Sequence, residues 1–178
     1  MKIDWILLAR KFVLLVAIFV THQGPVLAEA DVEDEAKPWQ EIEIQFPSGI
    51  SEESLQPFYV SAATDNQFFI DLATLSVGSD GVVRYVLLVV TSEGARNVTF
   101  EGLRCTSQER RIYATGRRDG SWSKSRNSSW VRIQNVYGNR HHAALFLDYF
   151  CPAGVIVRDA AEASDALRHG EHPDNKRW

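Results

Sequence analysis

Arg84 sits in the middle of residues 82–91, a run in which seven of ten side chains are aliphatic. A guanidinium cannot shed its charge on burial, so it needs a carboxylate beside it, and that carboxylate then stays ionised. Asp71, Glu101 and Asp148, with Arg104, stand in neighbouring segments and can complete such a network. Two chemistries fit: a small-anion or general acid–base site, or ion pairs that hold strands in register. The second is the simpler use of these residues. Residues 117–132 interleave cations with indoles, placing Arg117, Arg118, Lys124, Arg126 and Arg132 around Trp122 and Trp130. A surface of that kind binds phosphate backbones through charge and stacking, or an anionic glycan by the same forces. A solvated hairpin whose tryptophans fold onto a sheet uses the same residues. His141 and His142 are adjacent and on a strand point to opposite faces. With no nearby thiol and no spaced third histidine, they predict no metal site. The chain has no GxSxG, HExxH, GxGxxG or Walker loop, so neither catalytic residues nor a cofactor are predicted.

What these groups do depends on the compartment and on the elements that carry them. Lys2, Arg10 and Lys11 precede the apolar stretch 12–20, and the segment closes on Val26-Leu27-Ala28. A basic start, a short apolar middle and small residues before the cut are the parts of a secretory signal over residues 1–28. The apolar stretch falls well short of the roughly 20 residues that cross a bilayer. Cleavage after Ala28 is predicted, with no membrane span after processing. Residues 29–38, bearing Glu29, Asp31, Glu33, Asp34 and Glu35, read as an acidic flexible leader. Residues 39–170 read as a single β-rich domain and 171–178 as a disordered tail. With 45% hydrophobic and 24% charged residues the chain is neither disordered nor fibrous, and it has length for one domain with a real core. Export leaves Cys105 and Cys151 one intramolecular pairing, and an even count without CxxC points to a structural disulfide. It also argues against nucleic acid as a partner of the cationic segment.

Residues 41–46 alternate polar and apolar before Pro47, as a strand with one dry face does. Further strands are predicted at 58–60, 68–77, 82–91, 96–105, 111–115, 130–136 and 144–150. Asp80-Gly81 predicts a type I′ hairpin. With a turn at Ser92-Glu93-Gly94-Ala95, Thr91 pairs with Arg96, Val89 faces Val98, Leu87 faces Phe100 and Tyr85 covers Gly102. Arg84 and Glu101 are then diagonal neighbours on the opposite face. Asp159 and Glu162 form a capping box before an alanine-rich stretch, and Gly170 stands where the helix stops. The predicted class is mainly β (β-rich α+β), an antiparallel sandwich or barrel-like sheet with one C-terminal helix.

The spaced residues Ile70-Asp71, Ser76-Val77-Gly78-x-Asp80-Gly81-Val82-Val83-Arg84-Tyr85, Ser92-x-Gly94-Ala95-x-Asn97-Val98 and Glu101-Gly102-x-Arg104-Cys105 resemble the cryptic neisserial protein family. Tyr113-Ala114, Gly120-x-Trp122, Trp130 and Asp148-Tyr149-Phe150-Cys151 match its later marks, so the resemblance spans residues 39–151. It implies an exported domain of the bacterial cell envelope, brings no catalytic residues, and favours the disulfide because both cysteines lie inside its motifs. The expectation is a periplasmic, non-enzymatic protein that acts by binding or structural support, with an envelope polymer or envelope protein as partner. The alternatives are a binder of anionic envelope polymer or glycan through 117–132, and a small hydrolase-like enzyme built on Arg84, Glu101 and Asp148.

Overall fold

The aliphatic run after Gly81 becomes the middle of a sheet, because a strand without a polar face must be covered on both sides. The computed structural model describes residues 38–175; the signal predicted at 1–28, the predicted leader as far as residue 37, and residues 176–178 lie outside the described residues. The chain divides into the units Met1–Pro38 and Trp39–Trp178, and every element below belongs to the second. Its strands are β1 (Leu55–Pro57), β2 (Gln67–Val77), β3 (Val82–Val90), β4 (Arg96–Arg104), β5 (Glu109–Gly116), β6 (Trp122–Lys124) and β7 (Val131–Arg132). They form one antiparallel meander in the order β1-β2-β3-β4-β5-β6, with β7 pairing the other half of the outer edge of β5. The sheet is open rather than closed into a barrel. Helical segments cover one face in place of a second sheet, so the mainly β class stands while both the sandwich and the barrel are set aside.

The β3–β4 register differs from the predicted one by a single residue: Val89 faces Asn97, Val86 faces Phe100 and Tyr85 faces Glu101. The cause is the turn. Thr91 N–H donates to Ala95 O at 2.9 Å and Gly94 N–H to Thr91 O at 2.9 Å, so the loop is Ser92-Glu93-Gly94, three residues instead of four. Gly94, at φ 83°, takes the left-handed position that ends such a loop. Ser79-Asp80-Gly81 is the same device, with Gly81 at φ 75° and no positive φ at Asp80, which corrects the predicted two-residue type I′ turn. The slip matters because it moves each β4 side chain to the other face.

Residues 144–150 are not a strand. Helix α1 (Arg140–Ala144) runs directly into a π-helical turn, Leu145–Phe150. Leu145, Phe146, Tyr149 and Phe150 are all buried there, and an apolar run of that length carries no period that separates a buried strand from a buried helix. The strand predicted at 130–136 shrinks to β7, and that predicted at 58–60 is replaced by β1 just before it. Residues 41–46 are assigned to no strand. The predicted C-terminal helix is α2 (Ala160–His169), with Asp159 Oδ1 accepting from Glu162 N–H at 2.9 Å and Gly170 at φ 86°. Within residues 171–175, His172 is buried and donates its N–H to Asp148 O at 2.8 Å, while Glu171, Pro173 and Asp174 are exposed.

The sheet therefore has two dry faces. On the helical face Ile70, Tyr85, Leu87 and Leu103 meet Leu145, Tyr149, Phe150 and Leu167. On the other, Val86, Phe100 and Tyr113 are covered by Ile44, Ile50 and Trp122. The segment 39–50 thus lies along the second face as a strap. Tyr113 lies flat against Gly102, where an added Cβ would stand 2.2 Å from the phenolic oxygen. Gly102→Ala is expected to cost about 1–3 kcal/mol by overpacking. Chemical denaturation checks it, and the cost should fall when Tyr113 is first shortened to leucine; an equal cost in both backgrounds rejects the contact as its cause.

Candidate functional site

The five residues predicted as one ion-pair network are not brought together. Glu101 follows Tyr85 to the helical face, while Arg84, opposite Gly102, faces the strap. Arg84 makes a two-pronged pair with Asp80, Nη2 to Oδ2 at 2.5 Å and Nη1 to Oδ1 at 3.1 Å, and reaches Glu41 Oε1 at 3.3 Å. Glu41 also accepts from Arg111, and from the Tyr113 hydroxyl at 2.5 Å. Gly78 is needed beside them, since a Cβ there would stand 2.3 Å from Asp80 Oδ1. Arg104 bonds Ser107 and Glu109 and lies 4.0 Å from the Trp39 ring centroid. Asp71, fully buried, accepts from Ser51 N–H at 2.8 Å, Ser54 Oγ at 2.5 Å and Ala73 N–H at 3.0 Å. Asp148 accepts from Asn175 Nδ2 at 3.3 Å. The proposed trio of Arg84, Glu101 and Asp148 is divided between the two faces of the sheet.

The tryptophans of the cationic segment are engaged with the sheet. Trp122 Nε1–H donates to Pro47 O at 2.7 Å and its ring packs on Phe100, while Trp130 meets Trp39 and Tyr113 edge-on. Arg117, Arg118, Lys124, Arg126 and Arg132 remain exposed around them. Strap and segment are thus tied by aromatic and cation–π contacts, and the cations are exposed while both indoles are partly buried.

A different cluster lies on the helical face. Placing His141 and His142 on α1, where a strand would have separated them, brings their ring centroids to 4.0 Å. His142 Nε2 lies 2.8 Å from Glu101 Oε2, with both side chains buried. Thr99 Oγ1 donates to Glu101 Oε1 at 2.7 Å and the Tyr85 hydroxyl to Oε2 at 3.3 Å. Burial pushes the Glu101 carboxyl up, but the His142 charge and hydrogen bond, the Thr99 hydroxyl and His141 outweigh it and hold the group down at about 2. His141 is pushed down to about 4, first by burial and then by the charge of His142. Tyr85 is raised well above the phenol range by burial and the Glu101 charge. His142 Nδ1 is buried with no hydrogen-bond partner among the described residues. The same residues hold no group of three or more His, Cys, Asp or Glu placed to grip a metal.

His141 also lines a cavity of about 270 Å³ at the end of the sheet. Its floor is one cross-strand row, Phe68 on β2, Val89 on β3 and Asn97 on β4, set by the observed register. Thr64, Asn66 and Thr91 add amide and hydroxyl groups, and Tyr137 and Arg140 close the far side. Neither this cavity nor Arg140 carries a signal in the sequence. Asn97 joins it only because the hairpin loop is one residue shorter than predicted.

No curated protein and no solved structure matches the chain. Some of the residues that carried the resemblance, Gly78, Asp80, Arg84, Gly102, Arg104, Tyr113 and Trp130, converge on the strap face and fix its packing, while others, among them Ile70, Tyr85 and Phe150, lie in the core of the helical face. The matching family model covers residues 34–168, which take in all seven strands, α1 and all but the last residue of α2, and the chain belongs to the CNP1-like family.

Proposed function

We propose that this chain is a domain exported to the periplasm of a bacterial cell envelope, where it acts by binding a ligand rather than by turning one over. The observation that carries the binding reading is the cavity beside His141, walled by uncharged polar groups and one arginine. The adjacent ionisable pair supports binding over catalysis, since Glu101 and His142 are directed at each other and only 2% and 4% of their side chains are exposed. His141, held near 4, is a weak base at neutral pH, where an efficient general base has its pKa close to the working pH. Export rests on Lys2, Arg10 and Lys11 ahead of the apolar stretch, and on the bonded Cys105–Cys151 pair, which suits an oxidising compartment.

The test is fractionation of the exporting cell, followed by a denatured, non-reduced mass. A periplasmic chain that begins at Glu29 and is lighter by the two thiol hydrogens agrees with the reading. A cytoplasmic, full-length chain with free thiols rejects it. A second reading, binding of an anionic envelope polymer, is favoured by the exposed cations of 117–132. It requires pulldown that weakens as salt rises and on joint replacement of Arg117 and Arg126 by alanine.

A further inference from the structure

We infer that the cavity between the β2–β4 row and α1 takes a small hydroxylated carboxylate, the chemistry of a single uronic acid. The inference rests on the binding reading above and adds the ligand class. Charge is the first argument. The chain is acidic, with a net charge of -4, yet none of the described residues lining the cavity is acidic and Arg140 is its one permanent cation. Arg140 donates from Nη1 to Ser61 Oγ at 3.2 Å and makes no ion pair with any described carboxylate, unlike Arg84, Arg104 and Arg111. A guanidinium held by one hydroxyl keeps donors for an incoming anion, and its flat fork matches a carboxylate.

The remaining walls fit the rest of such a molecule. Asn66 and Asn97 carry amides that both donate and accept, as a ring of hydroxyls requires. Val89 and Phe68 give the apolar floor that a sugar's C–H face needs, and the Tyr137 ring stands 78% exposed at the rim. The volume, about 270 Å³, lies just under the range of roughly 300–1,000 Å³ that holds drug-sized ligands, so one monosaccharide is the scale. His141, which lines the cavity, is held by stacking on Phe68 at 5.3 Å between ring centroids.

The experiment is a titration of the isotope-labelled, exported protein with sodium glucuronate and, separately, with glucose, read by amide and imidazole chemical shifts. Saturable shifts around His141 and Asn97 with glucuronate, and none with glucose, are expected. Arg140→Ala should weaken glucuronate by between about tenfold and a hundredfold, the scale of one charge-assisted contact. Asn97→Ala, at an exposed strand position, should weaken it without unfolding risk, and Arg126→Ala should leave it unchanged. Equal binding of glucose overturns the carboxylate assignment while leaving a binding domain in place. No saturable shift with either sugar overturns the site itself. Loss on Arg126→Ala with retention on Arg140→Ala transfers the anion to the surface segment and overturns the proposal. The mass and fractionation results above are independent of all three outcomes.

Discussion

Replacing His142 with alanine is expected to lower the folding free energy by about 3 kcal/mol, the cost of leaving a buried carboxylate without its closest side-chain hydrogen-bond partner on the helical face. Glu101 is 1% exposed, and His142 Nε2 lies 2.8 Å from its Oε2, so that removing the imidazole leaves the carboxylate only the hydroxyls of Thr99 and Tyr85. Urea unfolding at neutral pH measures the loss. The double variant His142→Ala with Glu101→Gln should recover part of it, because no charge is then stranded. A loss under about 1 kcal/mol in the single variant would sink the claim that His142 satisfies the buried carboxylate.

The same groups set the acid limit. The folded Glu101 carboxyl lies near 2, against 4.5 for the free group, so its contribution is complete above 4.5 and drains as pH falls toward 2. The folded His141 lies near 4, against 6.5, so acid protonates the unfolded chain first and stability drains between 6.5 and 4. Both shifts act in one direction, and stability should fall continuously below about pH 6.5. His141→Gln should flatten the upper limb alone. A stability flat from pH 6.5 to 4 in the unaltered protein contradicts the burial of a neutral His141.

Reduction of Cys105–Cys151 is the second large effect, expected at about 4 kcal/mol on the loop-entropy estimate for a closed segment of this length. The bond joins the end of β4 to the end of the π-helical turn, with a Cα–Cα distance of 5.6 Å across 46 residues of chain. Both cysteines are buried, so reduction also leaves two thiols inside a packed interface. Thermal unfolding with and without reductant reads it, and coincident curves would remove the disulfide's structural role.

Sequence legibility followed the physics of each element. Asp159, Glu162 and Gly170 act within a few residues of one another, and the helix they bound is where the pattern puts it. The β3–β4 hairpin was legible as a hairpin but not in register, because Ser92-Glu93-Gly94-Ala95 can close either as a three- or a four-residue loop. That single choice decides whether Glu101 faces Arg84 or His142. Residues 144–150 were misread because burial on all sides erases periodicity. Arg84 was correctly marked as needing a carboxylate, yet Glu41 lies 43 residues before it in a segment that reads as an ordinary amphipathic strand. The cavity is not legible for a related reason: its walls come from residues 60–68, 89–91, 97 and 137–141, stretches that only the fold brings together.

The ends of the sheet have a consequence for self-association. One end is β1, three residues long and closing on Pro57, and the other is divided between a three-residue β6 and a two-residue β7. Long flat edges are templates on which another chain can extend a sheet into amyloid, and short or proline-bearing ones are poor templates. β3 and β4 each have a partner along both edges, β5 is paired by β4 and in part by β6 and β7, and β2, the longest strand, is paired by β1 along three residues of its outer edge. These short, divided ends give a second copy of the folded chain few positions at which to extend the sheet.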